Sequence, residues 1–159
     1  MKNALYKGTC SFFFLGYLPS FPGTWGTLGT ACAYAAALGA GARPDHLFWG
    51  TAGAALAVSA LAIPLGHRAR EVFGKKDPGQ FVLDEVAGYC VSLSFLGSYT
   101  VWTGGIAFLG FRLFDIWKPW PVRNVETWKG GWGIVLDDLL AGLLANQVVR
   151  VACLLIPHL

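Results

Sequence analysis

Charge is scarce in this chain. Only 13% of its 159 residues are Asp, Glu, Lys or Arg, against about 25% in an average soluble domain. The net charge is +3 and the basic residues are scattered, which argues against the dense cationic footprint of a nucleic-acid-binding protein. Cysteine is sparse too: Cys10, Cys32, Cys90 and Cys153 lie far apart with no C-x-x-C pair. A zinc site or disulfide framework is therefore not expected, and all four read as small apolar packing residues. The stretch "SFFFLGYL" after Lys2 and Lys7 is short and runs into "PSFPGTWG" without an A-x-A site, so no removable leader is expected. The glycine-rich "FPGTWGTLGT" (21–30) lacks a following G-K-[ST] and is not a P-loop. Nothing resembles a nucleophilic cysteine or a Ser–His pair, and His67 reads as interfacial rather than catalytic.

What is abundant is apolar surface, with 55% hydrophobic residues, 21 glycines and seven tryptophans. Small residues and interfacial aromatics suit helices packed in a bilayer. Four apolar blocks stand out, at 25–42, 47–66, 86–111 and 139–157. The second and fourth approach the roughly 20 residues that cross a bilayer as one helix. The third is interrupted by "GSYTVWTGG" and is either one long span or a hairpin turning near residues 97–105. The charges choose the hairpin. It puts Lys2, Lys7, Arg68, Arg70, Lys75, Lys76, Arg112, Lys118, Arg123 and Lys129 on one side, ten of the twelve basic residues. That side is cytoplasmic by the positive-inside rule. The expected architecture is an all-α, polytopic membrane bundle of about five helices with a short central hairpin, one domain over 1–159. The competing reading is a soluble helical bundle with an unusually apolar core.

The same topology gathers eight of nine acids in the cytoplasmic layer, Asp45 being the exception. Asp84 and Glu85 open the third block, Asp115 follows its end, and Asp137 with Asp138 open the fourth. One acid at a helix start is an ordinary cap. Two adjacent pairs repel, and only one member of each serves well as a cap. A hard divalent cation would relieve that repulsion, and with no His or Cys in the set Mg²⁺ or Mn²⁺ is favoured over zinc. The pairs sit in similar strings, "VLDEVAG" (82–88) and "VLDDLLAG" (135–142), each with an Ala-Gly step that admits another backbone. Arg112, Asp115 and Lys118 follow at three-residue spacing until Pro119, placing cations for an anionic substrate beside an acid for metal. "GGWG" (130–133) offers an approach to the second pair, and Thr24 reads as a helix cap near backbone N–H groups able to meet phosphate.

Four segments, "LPSFPGTWGTL" (18–28), "DPGQFVLDEVAGY" (77–89), "FRLFDIWKPWPVR" (111–123) and "GGWGIVLDDLLAG" (130–142), together resemble the phosphatidylglycerophosphatase A family of bacterial membrane phospholipid phosphatases. The resemblance implies Mg²⁺-dependent hydrolysis of phosphatidylglycerophosphate to phosphatidylglycerol and inorganic phosphate at the cytoplasmic side of the inner membrane. It also implies a catalytic, metal-holding centre of Asp84, Glu85, Asp115, Asp137 and Asp138, with Arg112, Lys118, Arg123 and Thr24 facing the phosphate. Two other classes stay in view. A CDP-alcohol phosphotransferase would need a D-G-x-x-A-R signature that this chain lacks, and an ion-coupled transporter would place acids at mid-span rather than at segment ends.

Overall fold

A computed structural model describes residues 2–75 and 78–156, without the side chains of Lys2, Asn3 and Arg70. Lys76 and Asp77, counted in the charge argument and the second motif, lie outside the described residues, as do the side chains of Lys2 and Arg70. Among those described, regular structure is entirely helical: α1 (Lys2–Cys10), α2 (Pro22–Gly39), α3 (Pro44–Phe73), α4 (Leu83–Ser92), α5 (Val101–Trp117), α6 (Val122–Val125) and α7 (Gly131–Leu155), with a 3₁₀ turn at Leu15–Tyr17. The four apolar blocks become α2, α3, the α4–α5 hairpin and α7, the five expected helices. The short α1 and α6 are additions that the apolar pattern did not announce.

Local chemistry sets the ends. Pro22 occupies the first turn of α2 behind a left-handed Phe21, where its missing N–H is not needed. The α2 cap is thus not Thr24, which lies inside the first turn. Its N–H bonds Phe21 O at 2.9 Å. α5 begins with a capping box in which Thr100 and Thr103 each accept the other's backbone N–H. The hairpin turn accordingly spans 93–100 rather than 97–105: Thr100 starts the helix earlier, and Gly104 is a packing residue against Tyr34 instead of a breaker. α5 ends at Lys118, left-handed with φ 48°, because Pro119 cannot continue the helix.

α7 packs against α3, α4, α5 and α6, and α4 is enclosed by α2, α3, α5 and α7. The main core joins Tyr89, Leu93, Phe111, Ala141, Ala145 and Val149; a second cluster joins Cys10, Ala62, Phe81, Leu83 and Val135. α4 and α7 cross where the two Ala-Gly steps meet. A Cβ on Gly142 would strike Gly88 O, and one on Gly88 would lie 2.6 Å from Asp138 O. α4 is only ten residues long, so its C-terminal carbonyls end among apolar helices and need donors. α7 supplies them. Asn146 Nδ2 donates to Ser92 O at 3.1 Å and Ser94 O at 2.8 Å, and Arg150 Nη2 donates to Phe95 O at 2.7 Å.

Among the described residues, two helices are long and apolar enough to cross a membrane, Pro44–Ala69 and Gly131–Leu155, and only 22% and 33% of their apolar windows are buried. A core helix of a soluble protein would bury most of such a window, so this apolar surface faces outward. All four cysteines are free. Cys10 and Cys90 are buried as expected, whereas Cys32 is exposed on α2.

Candidate active site

One end of the bundle gathers the start of α2, the loop before α4, the end of α5, the α6 segment and the first turns of α7. They enclose a cavity of about 320 Å³ whose lining includes Gly23, Asp84, Glu85, Asp115, Lys118, Glu126, Gly130, Asp137 and Asp138. All five acids singled out in the sequence therefore reach one space. Asp84 and Glu85 lie in the first turn of α4, as expected of helix-opening acids. Asp137 and Asp138 do not open α7: the helix starts at Gly131, and the pair sits in its second turn, where capping does not account for it. Asp115 is in the last turn of α5 rather than beyond it.

Asp84, Glu85 and Asp138 each bring a carboxylate oxygen within 4.8 Å of the other two. Asp84 and Asp138 are buried, at 7% and 4% exposure. Glu85 is half-buried as a residue, but its Oε2 is shut off from solvent and has no hydrogen-bond partner. Burial pushes the Glu85 carboxyl above its ordinary range. The nearby Asp115 charge adds to the rise, while a hydrogen bond from Asp84 and the Arg112 charge offset part of it. Gly23 belongs to the same contact. A Cβ there would collide with Glu85 Oε1, so a side chain at position 23 would push this carboxylate out of its place.

The remaining acids are held by cations. Arg112 Nη1 approaches Asp115 Oδ2 at 2.7 Å one helical turn away, an ion pair whose N–H groups are not aligned as hydrogen bonds, since Arg112 Nε and Nη1 stay without acceptors. Lys118, the left-handed cap of α5, ends the helical face that Arg112 and Asp115 share. Its Nζ meets Asp137 Oδ2 at 2.8 Å and Glu126 Oε1 at 2.9 Å. Burial disfavours the ammonium, but the hydrogen bonds to Asp137 and Glu126 outweigh it and raise Lys118 above the usual lysine range. The other Asp137 oxygen, Oδ1, is buried and without a partner.

Not every expected residue arrives. Arg123 is exposed on α6 and Thr24 lies one residue past the lining, so neither reaches the cavity. Arg112 stands behind Asp115 instead of in the wall. Glu126 is the residue the sequence reading counted but gave no role. Exposed in a polar loop, it looks like a solvated charge until its contact with Lys118 is seen. Of "GGWG", Gly130 and Gly133 line the cavity while Gly131 opens α7. His67 sits behind them, its Nδ1 2.7 Å from Ile63 O and 3.3 Å from Gly131 N. It joins α3 to α7 and does not line the cavity.

A buried cluster of repelling carboxylates with unpartnered oxygens, flanked by a lysine, fits a hard cation and an anionic substrate. Comparison with known proteins agrees. The chain is 33% identical over 139 residues to a Bacteroides thetaiotaomicron protein provisionally named a phosphatidylinositol-3-phosphatase, covering 86% of each. It is 33% identical over 140 residues to phosphatidylglycerophosphatase A of Haemophilus influenzae, covering 84% of this chain and 80% of that one. With phosphatidylglycerophosphatase A of Escherichia coli it is 32% identical over 90 residues, spanning about half of each protein (56% and 52%). No solved structure matches. Residues 9–153 match the family model described as Phosphatidylglycerophosphatase A, a stretch that contains every acid and cation of the cavity. The chain is a phosphatase and belongs to the phosphatidylglycerophosphatase A family.

Proposed function

We propose that this protein removes the terminal phosphate of phosphatidylglycerophosphate in a Mg²⁺-dependent reaction, as one membrane-embedded domain over residues 1–159 with its cavity on the cytoplasmic side. The observation that carries the reading is the convergence of four sequence-distant motifs on one acidic cavity. The residues fit a metal: three carboxylates share a small space, and Glu85 Oε2 and Asp137 Oδ1 are buried without partners. Asp84, Glu85 and Asp138 would hold the ion, with Asp115 and Asp137 beside them. Mg²⁺, or Mn²⁺, would supply Lewis-acid stabilisation of the phosphoryl oxygens.

The chain's own residues do the rest. Lys118 neutralises a phosphate oxygen as a point charge, exchanging its contact with the exposed Glu126 for one with substrate. Arg112 fixes Asp115 from behind, so its role is positioning. Asp137 has one oxygen anchored by Lys118 and one free, which suits it to take the proton of an attacking water. Water oxygen bonds to phosphorus, the bond to the glycerol oxygen breaks, and that oxygen leaves as the alcohol after gaining a proton.

Membrane embedding is supported by the outward-facing apolar windows of α3 and α7 and by the tryptophans. All seven are exposed: Trp25, Trp117, Trp120, Trp128 and Trp132 stand at the cavity end, Trp49 and Trp102 at the far end of their helices. Such belts mark the two interfaces of a bilayer. A second substrate, the 3-phosphate of a phosphoinositide, is favoured by the Bacteroides relative's name. Phosphate release from a panel of phosphatidylglycerophosphate, phosphatidylinositol 3-phosphate and glycerol 3-phosphate decides between them. The expected order puts phosphatidylglycerophosphate first by at least tenfold in kcat/KM. Equal turnover of the soluble ester would make the protein a general phosphatase.

A further inference from the structure

The segment "SFFF" at 11–14 takes no part in the acidic centre. Phe12, Phe13 and Phe14 are all left-handed, with φ of 46°, 57° and 68°, a conformation that bulky L-residues avoid. The turn is nevertheless held firmly. Buried Ser11 accepts the Phe14 N–H on its Oγ at 3.0 Å and donates that hydroxyl to Lys7 O at 2.7 Å, and Gly16 N–H bonds Ser11 O at 3.0 Å. Backbone strain that the surroundings enforce is a pointer to function. Its effect here is to put phenyl rings on the outside, with Phe13 83% and Phe14 57% exposed.

Those rings border a groove of about 470 Å³ between α1 and α3, lined by Leu5, Gly8, Phe12, Val58, Leu61 and Leu83 among others. Its walls are almost wholly apolar. The gap is pre-formed, because α1 is pinned at two points: Tyr6 Oη donates to Leu65 O at 2.6 Å, and Val82 N–H donates to Cys10 O at 2.9 Å. Val58 and Leu61 belong to the candidate membrane span of α3, roughly 15 and 10 Å along the helix from the basic Arg68, which on the membrane-embedded reading sets the groove at hydrocarbon depth. It also lies next to the candidate active site along α4. Leu83 lines the groove and the next residue, Asp84, lines the acidic cavity.

We propose that this groove holds one acyl chain of the lipid whose phosphate enters the acidic cavity, making it the subsite that selects a long-chain lipid over a soluble phosphate ester. The proposal rests on the lipid-phosphatase reading above. A substrate anchored there would present its headgroup at the first turn of α4, with α1 as the wall that keeps the chain from drifting into bulk lipid.

The test compares dioleoyl with dihexanoyl phosphatidylglycerophosphate in mixed micelles, using wild type, Leu61→Trp and Ala4→Trp, the last two chosen to fill the groove from opposite walls. Wild type is expected to prefer the long-chain lipid, and each variant to lose at least tenfold of that preference in kcat/KM. Wild-type turnover of the lipid with the preference unchanged in both variants overturns the groove and leaves the function standing. No wild-type turnover of either lipid overturns the function, and the subsite with it. Should the variants fail to fold, wild type is photolabelled with phosphatidylglycerophosphate carrying a diazirine at mid-chain. Label concentrated on residues 4–14 and 58–61 supports the groove; label spread over α5 and α7 overturns it.

Discussion

Glu85 concentrates the energetic problem of the site in one side chain. Its carboxyl is raised from an ordinary value of 4.5, first by burial and then by Asp115. Without metal, the folded protein therefore holds this proton more tightly than the unfolded chain does. The stability from that difference is fully present below pH 4.5 and is lost as pH rises through the raised folded value. Thermal unfolding of chelator-treated protein in detergent should show a melting temperature that falls across that window, with a flatter profile in Glu85→Gln. Added Mg²⁺ should restore stability on the alkaline side, where the ligand oxygens are charged. A melting temperature that rises with pH in the absence of metal would contradict the assignment. The paired acids were legible in the sequence because adjacent carboxylates beside apolar runs are costly and need a reason. Thr24 and Arg123 were not separable from the residues that line the cavity, because a helix start and a basic loop look alike whether or not they face it. Glu126 was hidden for the opposite reason, since an exposed acid in a polar loop carries no visible cost.

Among the elements, the α4–α7 crossing fixes how the two acid pairs face each other. The matching Ala-Gly steps let the backbones touch, and the sequence showed that signal without showing its partner. Gly142→Leu should force the helices apart at a cost of about 3 kcal/mol, with loss of phosphatase activity and a lowered melting temperature. Gly53→Ala is the comparison, because nothing lies within 4 Å of the added methyl. It should be neutral or gain up to about 1 kcal/mol from helix propensity. Equal effects of the two changes would remove the crossing from the account. The hairpin itself was readable from the charge distribution, but its turn was placed several residues too late. Glycines 104 and 105 read as breakers in one dimension, whereas Gly104 makes room for the Tyr34 ring. The start of α7 was missed for a similar reason: "GGWG" looks like a loop, yet Gly131 and Gly133 are buried against Ile63 and Trp128, and that packing carries the helix back to residue 131.

For the whole molecule, the cavity end carries the start of α2, the end of α3, the end of α5 and the start of α7, so the proposed membrane embedding puts all four on one side of a bilayer. On a background without the four native cysteines, Lys75→Cys and Thr127→Cys should label only from the cytoplasmic face. His46→Cys and Gly97→Cys should label only from the opposite face. Labelling of positions 75 and 127 from different faces would mean that the α4–α5 pair is not a hairpin in the membrane. Composition made the apolar, multi-helix character plain, whereas the groove beneath the three phenylalanines depends on left-handed backbone that no pattern of residue types displays. The central claim is that the buried acids hold a metal ion that phosphate removal requires, and one measurement addresses it most directly: phosphate release from phosphatidylglycerophosphate by purified wild type and Asp138→Asn, titrated with Mg²⁺ after chelation. Wild type should be inactive after chelation and recover with Mg²⁺, while Asp138→Asn stays folded and at least 100-fold slower, a loss of about 2.7 kcal/mol in transition-state stabilisation. Full wild-type turnover in chelator, or a wild-type titration curve from Asp138→Asn, would contradict it.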